Sequence, residues 1–161
     1  SKSYQFNPLL NIDMTWNNSL ISNIELKRSR DLSLSFANNQ LTEISSNEIV
    51  VGLGYRIKDV VLNVKGLNGG KSKKLKSDLN IKSDVSIKSN KTVLRKIVED
   101  INQISTGQRI ISISVSADYL INDKFTIKFF FDKIVTNPYV PSMFLNSSTN
   151  AGFSLKFTLA Q

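Results

Sequence analysis

Residues 111–119 read Ile-Ser-Ile-Ser-Val-Ser-Ala-Asp-Tyr, so every second side chain is apolar and each one between is Ser or Asp. Successive side chains of a β-strand point to opposite faces, and strict alternation therefore predicts a strand with one apolar and one polar face. The same period of two recurs in residues 10–16, 51–57, 125–132 and 151–159. This pattern predicts an all-β fold.

Turn-forming residues divide the chain into about seven long strands. Asn17-Asn18 and Asn122-Asp123 tolerate the positive φ of short hairpin loops, and Pro138 cannot donate to a ladder. The predicted strands cover residues 9–16, 19–37, 40–58, 77–97, 104–120, 124–136 and 149–161. Between the third and fourth, we expect a basic loop at about 59–76 that lies outside any membrane.

One segment, residues 92–104, is compatible with either a helix or two strand ends joined by a turn. Its apolar residues recur at helical spacing, and Thr92 could serve as an N-cap. Against a helix, residues 43–48 resemble 103–108, and residues 24–27 resemble 85–88. This weak repeat suggests one hairpin made twice, with long strands bent at Ser-rich bulges. We therefore favour strands over a helix here.

Composition excludes several kinds of site. The 161 residues contain no His and no Cys, so they cannot build a Ser-His-Asp triad, a Cys nucleophile or a disulfide. The formal net charge is +8, and its excess is concentrated in residues 65–96. We interpret these cations as a solvated loop and polar strand faces rather than as a nucleic-acid site. We expect no enzymatic activity and no cofactor.

Strand length favours a membrane wall over a soluble core. Globular strands usually have ~5–6 residues, whereas transmembrane strands need ~9–11. Aromatic residues also fall near strand ends, where an interfacial girdle belongs. The predicted girdle is Trp16, Tyr55 and Tyr119. The predicted lipid-facing residues are Phe125, Ile127, Phe129, Phe131, Phe153, Leu155, Phe157 and Leu159. The predicted lumen-facing residues are Ser112, Ser114, Ser116, Asp118, Lys128 and Lys156.

An open sheet cannot lie in lipid, because its edge strands would leave backbone groups unpaired. Seven strands are too few to close a wide barrel. We therefore expect residues 1–161 to form the C-terminal strands of a much larger antiparallel transmembrane β-barrel, paired with the remaining N-terminal portion of that barrel.

Several short motifs resemble one family, the SprA/Sov outer-membrane translocons of the type IX secretion system of Bacteroidota, which are also linked to gliding motility. They are Phe6-Asn7-Pro8-Leu9, Asp13-Met14-Thr15-Trp16, Gly52-Leu53-Gly54-Tyr55-Arg56, Ser116-Ala117-Asp118-Tyr119, the run from Phe125 to Asp132, Asn137-Pro138-Tyr139-Val140 and the ending from Gly152 to Leu159. The resemblance covers essentially the whole chain. It implies a barrel in the bacterial outer membrane, with a periplasmic C-terminus, that exports folded cargo proteins. It also implies two partners, a PorV-like outer-membrane barrel and a periplasmic plug protein.

Three alternatives remain open. A smaller outer-membrane porin or transporter barrel would show the same alternation with fewer strands. A soluble ligand-binding β-barrel would dissolve without detergent. An enzyme could in principle use Asp118 and Asp132 as a pair, but we assign both carboxylates to the lumen.

Overall fold

The computed structural model describes residues 1–16, 19–64, 73–122, 125–141 and 144–157, with the side chains of 62–64, 73–75 and 122 left aside. Seven strands form one antiparallel sheet, in which each strand pairs with its neighbours in sequence. They are β1 (Lys2–Thr15), β2 (Leu20–Ser35), β3 (Gln40–Val64), β4 (Lys73–Lys96), β5 (Ile101–Asn122), β6 (Phe125–Pro138) and β7 (Asn146–Phe157). The prediction of an all-β fold with seven long antiparallel strands is confirmed.

The uncertain segment at residues 92–104 consists of two strand ends and a turn. β4 continues to Lys96, residues 97–100 turn, and β5 starts at Ile101. Residues 36–39 form an equivalent four-residue turn between β2 and β3. Both turns end in a short polar residue with positive φ, Asn39 at 49° and Asp100 at 52°. Asn and Asp adopt this conformation more readily than other side chains, so the two hairpins share one turn geometry.

The predicted Ser-rich bulge is present in one of the two proposed places. In β5, Ser105 is an extra residue between the pairs Thr92–Thr106 and Val93–Ile104. The corresponding Ser45 and Ser46 in β3 instead pair regularly on both sides, so the bulge predicted there is wrong.

Several predicted strand boundaries are also wrong, because pairing continues past the expected breaks. β1 starts at Lys2 rather than at residue 9, and its register shifts between Phe6 and Leu10. β3 passes residue 58 by means of a bulge, and it pairs again with β4 from Val60 onward. At that bulge Asp59 has a φ of 60°, and its N–H donates to the Asp78 carboxylate at 3.3 Å. The expected loop is therefore strand at 59–64 and 73–76, while residues 65–72 lie outside the described part.

In the part of the chain that the structure describes, the sheet is a single layer without a hydrophobic core. Among the described residues, Val93 and Tyr119 are the buried apolar side chains, and most large apolar side chains are exposed. β1 and β7 each pair on one side, so the described sheet is open rather than closed on itself. Within the described ranges, no helix is long and apolar enough to cross a membrane.

Candidate functional site: the two faces of the sheet

The strand registers sort the side chains into two chemically different faces. Directly paired residues share a face, and neighbours along a strand alternate between faces. One row contains Ile12, Ile24, Val51, Val85 and Ile113 on β1 to β5, and Lys133 of β6 continues it. The adjacent row, on the opposite face, contains Asp13, Asn23, Gly52, Asp84, Ser114 and Asp132. We call these surfaces the apolar face and the polar face.

The apolar face carries a band of nearly constant length. In the three central strands it runs from Ile49 to Ile57, from Leu79 to Ile87 and from Ile111 to Tyr119, nine residues each. At ~3.3 Å per residue this is roughly 26 Å along the strand. Apart from the buried Tyr119, its side chains are exposed or half-buried in the described chain: Leu53 is 50% exposed and Ile87 is 46% exposed.

The predicted lipid-facing residues lie together on the apolar face. Phe125, Ile127 and Phe129 of β6 pair with Phe157, Leu155 and Phe153 of β7, respectively. Phe131 continues the same face beside Ala151, and the Phe125 and Phe157 rings stack with centroids 4.4 Å apart. Leu159 lies outside the described residues.

The predicted lumen-facing residues lie together on the polar face. Asp118 pairs with Lys128, and Lys128 pairs in turn with Ser154. The hydroxyl of Ser114 donates to the Asp132 carboxylate across the β5–β6 pair. Ser112, Ser116 and Lys156 occupy other rows of this face.

Hydrogen bonds and ion pairs connect side chains along the polar face. Asn23 donates to Asn11 at 2.8 Å and to Asp13 at 2.5 Å. At one end of β3 and β4, the Arg56 guanidinium donates to the Asp78 carboxylate through two nitrogens. Both charge signs are present in nearby rows, so this face is hydrophilic without being strongly acidic or basic.

The predicted girdle residues share the apolar face, but two do not end their strands. Trp16 follows β1, and its backbone N–H donates to Leu20, which pairs with Tyr55. Tyr119 stands two rows farther along the strands, in register with Leu79, which pairs with Ile57. β3 and β5 continue past both tyrosines, and Tyr119 is buried with its hydroxyl donating to the Val60 carbonyl at 3.1 Å. The expected position at a strand end is therefore wrong for Tyr55, whereas Tyr119 lies three residues before the end of β5.

A polar residue within the apolar face has a partner there. Ser22 is buried, and the Trp16 indole N–H donates to its hydroxyl at 3.1 Å. An indole N–H that is removed from water usually needs such an acceptor. This contact lets a serine interrupt the apolar rows without leaving either polar group unsatisfied.

A basic group at one end of the apolar face was not identified from the sequence. Beyond the band, at the end with the 36–39 and 97–100 turns, Lys2 of β1 lies on this face in the row of Glu43, and further cations cluster on β2, β4 and β5. We call these residues the basic collar: Arg28, Arg30, Lys91, Arg95 and Arg109. Extending the period of two past the apolar residues would have assigned Arg28 and Arg109 to this face.

Glu43 lies among the collar cations, six residues before the band begins on β3. Arg30 and Arg95 each bind its carboxylate at 2.7 Å. The hydrogen bond from Arg30 has the largest effect on Glu43 and, together with the one from Arg95, holds its pKa below the ordinary value. Tyr139, just after β6, bonds to the Ser89 hydroxyl at 2.8 Å and also interacts with Arg109.

Within the described ranges, no three His, Cys, Asp or Glu side chains converge in a way that could hold a metal ion. No protein-family model matches the sequence, and no curated protein is significantly similar to it.

Proposed function

We propose that this chain forms part of the wall of an outer-membrane β-barrel whose lumen conducts folded proteins, as in type IX secretion and the gliding motility linked to it. One observation carries the proposal. A single-layer sheet presents a largely exposed band of apolar side chains, nine residues long on each central strand, on one face. Transmembrane β-strands need ~9–11 residues to cross the hydrocarbon layer.

Lipid is the cover that this band fits best. The apolar face would meet hydrocarbon, and the polar face would meet water in the lumen. A soluble ligand-binding barrel would have to bury the same face in its interior. In lipid, the free edges of β1 and β7 would need further strands, because unpaired backbone groups cost several kcal/mol each. We therefore propose that these edges join the remaining N-terminal portion of a larger barrel.

Two arguments support protein conduction. The polar face alternates Ser, Asn, Asp and Lys, so a folded cargo protein would find few apolar patches to adhere to. The resemblance of several motifs to the type IX translocons supports the same cargo class. On that basis we also propose a PorV-like barrel and a periplasmic plug protein as partners.

The resemblance further suggests a periplasmic C-terminus. β7 runs toward the same end of the sheet at which β3 ends and β4 begins. The residues that connect β3 and β4 would then be on the periplasmic side.

A photocrosslinking experiment tests the proposed conduction. A photoreactive amino acid replaces Ser114 on the polar face of the membrane-assembled protein, and the matched control carries it at Val115 on the apolar face. We expect cells that are exporting protein to yield cargo adducts at Ser114 and none at Val115. An assembled barrel that yields no cargo adduct from either position would favour a small-solute porin. Equal cargo adducts from both positions would contradict the assignment of faces.

A further inference from the structure

The collar cations stand directly beyond the end of the apolar band. Arg28, Asn47, Ser89 and Arg109 occupy one row across four strands. In the next row of the same face, two residues farther along each strand, Arg30 and Lys91 flank Ser45 of β3. On β2, β4 and β5, therefore, the change from apolar to basic side chains occurs within one or two rows.

The collar keeps an excess of positive charge. On the described strands of this face at this end, the acidic residue is Glu43. Its carboxylate neutralises part of the positive charge of Arg30 and Arg95. Arg28 and Arg109 are exposed. The collar therefore contains five basic residues against one acidic residue.

The opposite end of the apolar face has a different composition. There the side chains that the structure describes include Trp16, Leu20, Ile57, Ser77 and Phe157, none of which is charged. The nearby Arg56, Lys76 and Lys156 belong to the polar face. Among the described side chains the collar lies on one face and at one end of the sheet, and the apolar face carries a further lysine, Lys133 of β6, in the row of Ile113.

We infer that the basic collar binds the phosphate headgroups of anionic lipid in the membrane leaflet at this end. The inference rests on the proposed function, since it requires lipid against the apolar face. Headgroups lie where the hydrocarbon layer ends, at the level where the band gives way to the collar. Guanidinium groups donate two parallel hydrogen bonds to phosphate oxygens, and basic residues next to a bilayer attract anionic lipid.

Tyr139 also suits a position at the level of the lipid headgroups. Its ring lies over Gly107, its hydroxyl bonds to Ser89, and its backbone N–H donates to Gly107. Tyrosine is enriched at the level of the headgroups because its ring is apolar and its hydroxyl is polar. An aromatic residue among cations is therefore the composition expected at a lipid–water boundary.

Lipid titration of the complete membrane protein tests the inference. The protein, purified in neutral detergent and delipidated, is titrated separately with phosphatidylglycerol and phosphatidylcholine, and bound lipids are counted by native mass spectrometry. We expect the protein to prefer phosphatidylglycerol, and the triple variant Arg28→Gln/Lys91→Gln/Arg109→Gln to lose on the order of tenfold in that preference. The control Lys27→Gln/Lys82→Gln/Lys88→Gln removes the same charge from the polar face and should keep the preference.

Equal binding of both lipids by the native protein, or an unchanged preference in the collar variant, would overturn the inference and leave the membrane wall intact. A native protein that dissolves without detergent and binds neither lipid would instead contradict the proposed function. Should the triple variant fail to assemble, the single variant Arg28→Gln is expected to lose part of the preference, and an unchanged preference there would also refute the collar.

Discussion

Single residues in this sheet are constrained mainly by close approaches between neighbouring strands. At Gly107, an added Cβ would lie 2.6 Å from the Asn90 carbonyl oxygen and 3.1 Å from the Tyr139 ring. At Gly152, it would lie 2.9 Å from the Phe130 ring, which covers this glycine on the polar face. Alternation alone does not explain an aromatic residue on that face, but packing over a glycine does.

We expect Gly107→Ala to destabilise the folded protein by about 1–3 kcal/mol, because the methyl group would overlap backbone atoms that cannot move independently. Gly54→Ala is a matched control in β3, where the nearest atom to an added Cβ is 3.8 Å away. Urea unfolding of the two variants measures the difference. Equal stability of both would contradict the packing described at Gly107.

At the scale of the strand and hairpin, the sequence was informative wherever one residue in two is apolar. The alternation in β5, β6 and β7 predicted the face of each named residue that the structure describes. Boundaries were less predictable, since the bulge at Asp59 depends on a hydrogen bond to Asp78 of the next strand. The collar was missed because its members are far apart in sequence and become neighbours through the registers of β2 to β5.

A lysine placed on the apolar face of a strand should impair assembly into the membrane, whereas a lysine on the polar face should not. We expect Phe129→Lys to reduce assembly into the membrane, at a cost of roughly 2–4 kcal/mol if the site is near the bilayer midplane. Ser114→Lys, on the polar face beside Asp132, should leave assembly intact. The fraction of heat-modifiable, folded protein on an unboiled gel measures both. Similar losses in the two variants would argue against separate lipid and water faces.

For the whole molecule, stability depends on what covers each side of a sheet whose described residues form no core. The apolar face is exposed on the described strands, and the polar face carries the hydrogen bonds and ion pairs of Asn23, Arg56 and Ser114. Such a sheet is stable only if its apolar face is removed from water. The proposed arrangement, with lipid on that face and water on the other, would satisfy both surfaces.

Spin-label accessibility along β3 of the complete protein in its membrane most directly tests whether lipid covers one face of the sheet and water the other. Because the chain contains no cysteine, single cysteines at 48–51 and 53–57 can each carry one label without a background signal. We predict that labels at 49, 51, 53, 55 and 57 collide mainly with oxygen, which concentrates in lipid. Labels at 48, 50, 54 and 56 should collide mainly with a water-soluble nickel complex. Equal access of the nickel complex to both sets would contradict the membrane wall.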